Sequence, residues 1–154
     1  SNLPGLRSGF VAGDSDLMQG FLRYRTYHGC AMSLQNQQAS ITAWQDEQHV
    51  RENRDQYRQK FQIFFDELHP LLPLHMPDAG FYFWANMSTV NKGSDVEFAR
   101  ELFAQYNITV LPGSFLGRTK DGINPGDNYI RMALVAPLEE CKEAARRIKA
   151  FITS

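Results

Sequence analysis

The sequence predicts an α/β chain whose main part is an α+β layer, with helices packed on a small sheet. Apolar residues recur at helical spacing in several segments. Between them lie short runs rich in aromatic and β-branched residues, the composition of strands. Proline and glycine punctuate the joins. The resulting order is helix, long helix, strand, helix, strand, strand, helix.

Residues 4–13 are rich in glycine and small residues and hold a short apolar stretch around Phe10, Val11 and Ala12, read as a strand. Asp14 or Ser15 offers an N-cap, a helix follows to about Tyr27, and Gly29 stops it. Ser33 caps a second, long helix that the pattern carries to His69, with Tyr57, Phe61, Phe64, Phe65 and Leu68 on one face. Its first half is charged and amide-rich, as in helices that span between domains or pack on another subunit. Pro70 and Pro73 end it. Residues 79–87 read as a buried aromatic strand. Ser94 to Glu97 form a capping box for a helix to about Tyr106, with Val96, Ala99, Leu102, Phe103 and Tyr106 as its apolar face. Residues 108–111 form a short strand, and 113–128 a loop containing Gly113, Gly117, Gly122 and Gly126. Residues 129–135 form the last strand. Pro137 opens the last helix, with Leu138, Cys141, Ala145, Ile148 and Ile152 on its buried side.

The bulk composition excludes several functions. With 154 residues the chain can bury a core, and 43% hydrophobic with 21% charged residues is ordinary for a globular protein. The net charge of -1 offers no electrostatic argument for nucleic acid or an anionic membrane surface. No apolar run reaches the length of a membrane span. The two cysteines, Cys30 and Cys141, form no Cys-x-x-Cys pair, so no metal site is expected. The opening residues, Ser1 to Gly5, read as the middle of a protein, and a reduced, cytoplasmic setting is expected.

Arg131 is the most informative residue. It interrupts an otherwise apolar strand that holds no acid to pair with it. Burying an unpaired guanidinium costs several kcal/mol. Its planar fork matches a carboxylate in two parallel hydrogen bonds, which suggests a substrate clamp. Period-2 alternation on an edge strand would instead turn it to solvent, and spacing alone favours that alternative. Arg7 lies among glycines that let a backbone approach a ligand, a setting that suits a phosphate, but these residues alone favour a plain turn with a solvated arginine. The glycine-rich loop 113–128 reads as a lid, a binding loop or a surface excursion. Asp46 and His49 lie a helical turn apart without further ligands, and read as a solvated face. His28 and Cys30 lack an orienting acid. Phe81, Tyr82, Phe83 and Trp84 read as core rather than as a stacking platform for bases. Ser114 has no nucleophile-elbow context.

Together these segments resemble the class I/II aminotransferases of the large pyridoxal-phosphate fold. Asn2-Leu3-Pro4-Gly5-Leu6-Arg7-Ser8-Gly9 matches the second half of that family's cofactor signature, a lysine followed by P-G-x-R-x-G, with Ser8 where an aliphatic residue is usual. Residues 77–84, 110–117 and 128–133 follow in the family's order and resemble its first small-domain strand, its V-x-P-G-x-x-F-G turn with Phe115 and Leu116 shifted, and its carboxylate-binding strand. The words at 24–30, 43–50 and 131–136 are similar to the proteobacterial succinyldiaminopimelate aminotransferases of lysine biosynthesis.

The resemblance implies that residues 1–32 are the end of a large cofactor-binding domain and that 33–154 are a C-terminal small domain with its connecting helix. It implies that Arg7 holds the phosphate of pyridoxal phosphate and Arg131 the substrate α-carboxylate, with amino-acid and 2-oxo-acid substrates. N-succinyl-diaminopimelate and 2-oxoglutarate are expected, and their extra charge makes Arg118 a candidate for a distal carboxylate. The Schiff-base lysine is expected two positions before Ser1, so no catalytic residue is assigned within the chain, which by itself is expected to be inactive. A homodimer with no nucleic-acid or membrane partner is expected. The same scaffold also serves lyases and synthases, and non-catalytic halves of transcription regulators; a third alternative is a free-standing structural or interaction domain. Product analysis, an upstream helix-turn-helix, or a start codon near Ser1 separates these.

Overall fold

The computed structural model describes residues 3–29, 31–90 and 92–154. The chain forms two compact units, Ser1–Arg54 and Asp55–Ser154.

The first unit opens with a 3-10 turn, Pro4–Leu6, followed by helices α1 (Ser15–Tyr27) and α2 (Leu34–Gln45) and the start of α3 (Glu47–Leu68). Asp14 caps α1: its Oδ1 accepts from the Asp16 and Leu17 amides at 3.0 and 3.2 Å, which satisfies donors that the first turn leaves free. Gly29 follows the end of α1 at φ 95°, a conformation that glycine adopts without penalty. Ser33 caps α2 through a bond from the Asn36 amide to its Oγ. The strand expected at Phe10 to Ala12 does not form. No strand lies among the described residues of this unit to ladder with it. Phe10 is exposed and meets Trp44 edge-on, with ring centroids 5.8 Å apart.

The single helix expected over 33–69 is two helices, and Asp46 separates them. Asp46 takes extended backbone angles, and its carboxylate accepts from the Gln48 and His49 amides at 3.0 and 3.4 Å. A short carboxylate competes with helical backbone bonds in mid-helix yet stabilises a helix start, so it ends one helix and restarts the next.

The second unit is built on a three-stranded antiparallel sheet in the order β1-β3-β2: β1 is Tyr82–Asn86, β2 Leu111–Pro112 and β3 Tyr129–Ala133. The register pairs Phe83 with Met132, Trp84 with Arg131 and Ala85 with Ile130 on β1, and Leu111 with Arg131 on β2. Successive side chains alternate between faces. Phe83, Ala85, Ile130 and Met132 enter the core, where Phe61, Phe64 and Leu68 of α3, Phe98 and Leu102 of α4 (Asp95–Tyr106), and Cys141, Ala145, Ile148 and Phe151 of α5 (Leu138–Thr153) meet them.

Expectation and structure differ in detail here. Of the aromatic run at 81–84 only Phe83 is core, because the pleat turns Tyr82 and Trp84 outward. On α4, Val96 and Phe103 are exposed while Phe98 is buried, so the inner face is rotated towards Phe98 and Leu102. On α5, Phe151 takes a core position that the spacing did not assign. The capping box is as expected: the Glu97 amide donates to Ser94 Oγ, and the Ser94 amide donates to the Glu97 carboxylate at 2.9 Å. Lys60 is an unexpected core residue. Its Nζ donates to the Leu134 carbonyl at 3.1 Å and lies 4.9 Å from the Tyr57 ring centre, so its stem packs inside while its charge is met by a carbonyl and a π face.

Candidate functional site

Arg131 lies on the central strand of the sheet, not on an edge, so backbone bonds on both sides fix its position. Alternation places it opposite the core-facing Ile130 and Met132, on the same face as Tyr82, Trp84 and Tyr129. Trp84 lies directly across the ladder and stacks on Tyr129, with ring centroids 5.4 Å apart and planes at 10°. The Arg131 guanidinium carbon lies 5.5 Å from the Tyr82 ring centre. Its Nε is buried without a hydrogen-bond partner, and among the described residues Arg131 makes no ion pair. A fork of donors beside an aromatic ring and lacking an internal acid has the chemistry to accept an external carboxylate. Sequence reading missed Tyr82, Trp84 and Tyr129 as site residues. Their period-2 phase with Arg131 was the available signal.

The loop that follows β2 is anchored at its base. The Ser114 amide donates to the buried Asp95 carboxylate at 2.8 Å, which joins the loop to the start of α4. Asn124 donates to the Ser114 carbonyl and accepts from the Gly126 amide, both at 2.9 Å. A Cβ on Gly113 would run into the Gly126 carbonyl and sit 2.8 Å from the Trp84 ring, so glycine lets the loop close against the aromatic wall. Arg118 sits exposed in this loop and makes no hydrogen bond or ion pair among the described residues. The Ser114 hydroxyl is buried without a partner.

Arg7 belongs to the first unit. It ends the 3-10 turn in the left-handed conformation, at φ 50°. Its side chain is exposed, and its only polar contact among the described residues is a long one, 3.4 Å, to the Pro4 carbonyl. The turn is tied to α2 by Asn36, whose Nδ2 donates to the Leu6 carbonyl at 3.1 Å. The neighbouring Ser8 hydroxyl is buried and lacks a partner. An exposed guanidinium with one long hydrogen bond, next in sequence to an unsatisfied hydroxyl, suits a compact anion such as a phosphate.

Other candidates stay outside these groups. Asp46 and His49 pair with each other at 3.0 Å, and His49 holds the Asp46 carboxyl below its ordinary range. Among the described residues no group of three metal-ligating side chains forms. His28 stacks on Tyr24, with ring centroids 4.4 Å apart. Cys30 lies outside the described residues, as do Ser1, Asn2 and Asn91. Burial raises the Cys141 thiol above its ordinary value, which leaves it a core residue rather than a nucleophile.

Comparison with known proteins shows the family. The family model for aminotransferase class I and II matches residues 1–148. Glutamate-pyruvate aminotransferase AlaC of Escherichia coli is 30% identical over 97% of the chain, which spans 36% of that protein. The LL-diaminopimelate aminotransferase of Syntrophobacter fumaroxidans is 31% identical over 96% of the chain and 37% of its own length. An aminotransferase structure from Neisseria meningitidis superposes with a TM-score of 0.81 at 50% identity, covering 99% of this chain and 38% of that one. A structure described as a probable N-succinyldiaminopimelate aminotransferase from Thermus thermophilus gives a TM-score of 0.75 at 28% identity, over 97% and 38%. The chain therefore spans well under half the length of these relatives, and it belongs to the class I and II aminotransferase family.

Proposed function

We propose that the full-length protein is a pyridoxal-phosphate-dependent transaminase in which Arg131 binds the α-carboxylate of an amino-acid or 2-oxo-acid substrate. The observation that carries this reading is the Arg131 guanidinium, fixed on the central strand with no internal acid. The class I/II family depends on pyridoxal phosphate, and the residues present suit that group. Arg7 would meet its phosphate, and the partnerless Ser8 hydroxyl lies beside Arg7 in sequence. When bound, the cofactor supplies an electrophilic carbon and an electron sink. The chain's own part is binding and orientation. Arg131 takes the carboxylate in two parallel hydrogen bonds, which fixes the direction of the substrate's Cα–H bond. The Trp84–Tyr129 stack shields that contact from water and so strengthens it. None of the lysines at 60, 92, 120, 142 or 149 is assigned the Schiff-base role, because none stands in the signature.

On this reading residues 1–32 belong to a large cofactor-binding domain and 33–154 to a small domain. The protein works as a cytoplasmic homodimer, with no nucleic-acid or membrane partner. The preferred pair of substrates is N-succinyl-diaminopimelate and 2-oxoglutarate. The likeness to enzymes named for diaminopimelate supports it. Arg118, exposed and unpaired in the loop after β2, would meet a distal carboxylate. The test is glutamate release from 2-oxoglutarate by the full-length gene product, with a panel of amino donors. Preference for the succinylated donor supports the substrate assignment. Equal or better rates with alanine or unsuccinylated diaminopimelate overturn it. Arg118→Ala should raise KM for the succinylated donor alone.

A further inference from the structure

The turn that carries Arg7 is held from within by the Leu6 amide donating to the Leu3 carbonyl and the Arg7 amide to the Pro4 carbonyl, both at 3.2 Å. Its 3-10 segment contains no buried residue, and Arg7 itself sits in the left-handed region at φ 50°. A non-glycine residue there has an intrinsic cost and stays only where its surroundings fix it. The long-range side-chain bond that does so is from Asn36 Nδ2 to the Leu6 carbonyl, 3.1 Å across a separation of 30 residues. Leu6 immediately precedes Arg7, so this bond fixes the peptide plane that leads into the Arg7 backbone. Asn36 is itself well anchored: its amide donates to Ser33 Oγ at 3.2 Å, and its carbonyl accepts from the buried Ser40 hydroxyl at 2.6 Å. Those bonds use its backbone, which leaves the side-chain amide for the turn.

We infer that Asn36 is a positioning residue for phosphate recognition, which transmits the rigidity of α2 through the Leu6 carbonyl to Arg7. The inference rests on the reading of Arg7 as the phosphate anchor. Asn36 lies outside the P-G-x-R-x-G stretch, and its side chain acts on the backbone of the turn, not on the anion. Loss of the bond frees the turn and disperses the Arg7 guanidinium over more positions. Phosphate affinity should then fall, while contacts to the rest of the cofactor remain.

The experiment compares binding of pyridoxal phosphate and of pyridoxal, which lacks the phosphate, to the full-length protein by absorbance titration. Wild type, Arg7→Ala, Asn36→Ala and Asn36→Asp are measured, with melting temperatures alongside. Alanine favours the helix, and aspartate keeps the shape without the donor. Both Asn36 variants should bind pyridoxal phosphate roughly five- to ten-fold more weakly, the loss typical of one hydrogen bond, with pyridoxal affinity unchanged. Equal weakening for both ligands marks a merely structural role and overturns the inference, as does wild-type affinity for both. If Arg7→Ala itself keeps the preference for the phosphorylated ligand, the underlying reading of Arg7 fails instead.

Discussion

Arg131 and Trp84 face each other directly across the β1–β3 ladder, on the side of the sheet turned away from the core. On that face the Arg131 guanidinium lies 5.5 Å from the Tyr82 ring centre, with its Nε unpartnered. Arg131→Met should therefore cost little stability, because no internal ion pair is broken. If Arg131 binds the substrate carboxylate as proposed, the full-length variant should lose kcat/KM for α-amino acids about a hundred-fold or more, as expected for removal of a charge-assisted bidentate contact. Arg131→Lys should recover only part of this, since an ammonium lacks the planar fork. Steady-state kinetics beside thermal melts checks both statements. A large fall in melting temperature would mean that Arg131 is a structural residue.

Gly113 sets how closely the loop approaches Trp84. A methyl group there meets the Gly126 carbonyl backbone, which cannot swing aside as a flexible side chain does. Gly113→Ala should destabilise the fold by about 2–4 kcal/mol, read from urea unfolding.

Lys60 holds the Leu134 carbonyl at the end of β3 from inside the core. Lys60→Ala loses both the bond and the packed stem and should cost about 2–4 kcal/mol. Lys60→Met keeps most of the stem's volume and should cost less than half as much. Denaturant midpoints of the two variants decide the order.

The Glu97 carboxyl is held below its ordinary range by hydrogen bonds from the Ser94 amide and hydroxyl. A depressed folded-state value means that the ionised form stabilises α4. That contribution is fully present above the ordinary unfolded-state value and is lost as the pH falls through the lower folded value. Wild type should melt above Glu97→Ala at pH 7, and the gap should close as the pH falls through the depressed folded-state value. A gap independent of pH would show that the carboxylate charge plays no part.

Much of the fold was legible because local chemistry and tertiary structure agree. Asp14, Ser33 and the Ser94–Glu97 box mark helix starts by side-chain bonds to nearby amides, and such bonds depend on sequence neighbours alone. The break at Asp46 was hidden, since the apolar pattern on either side is sparse and polar. The inward turn of Lys60 was hidden too, because its partner, the Leu134 carbonyl, lies 74 residues away. At the site, Arg131 was conspicuous as a charge within an apolar strand. Whether that strand lay at an edge or in the centre depended on the sheet order β1-β3-β2, which no local pattern encodes. The link from Asn36 to Leu6 was invisible for the same reason.

The most direct test of the central claim is an absorbance titration of the full-length gene product with pyridoxal phosphate, then with N-succinyl-diaminopimelate, then with 2-oxoglutarate. A visible band should form with the cofactor, bleach with the amino donor and return with the 2-oxo acid. In Arg131→Met the band should form normally and bleach only at far higher donor concentration. A protein that forms no such band, or whose Arg131→Met variant bleaches as readily as wild type, would contradict the account.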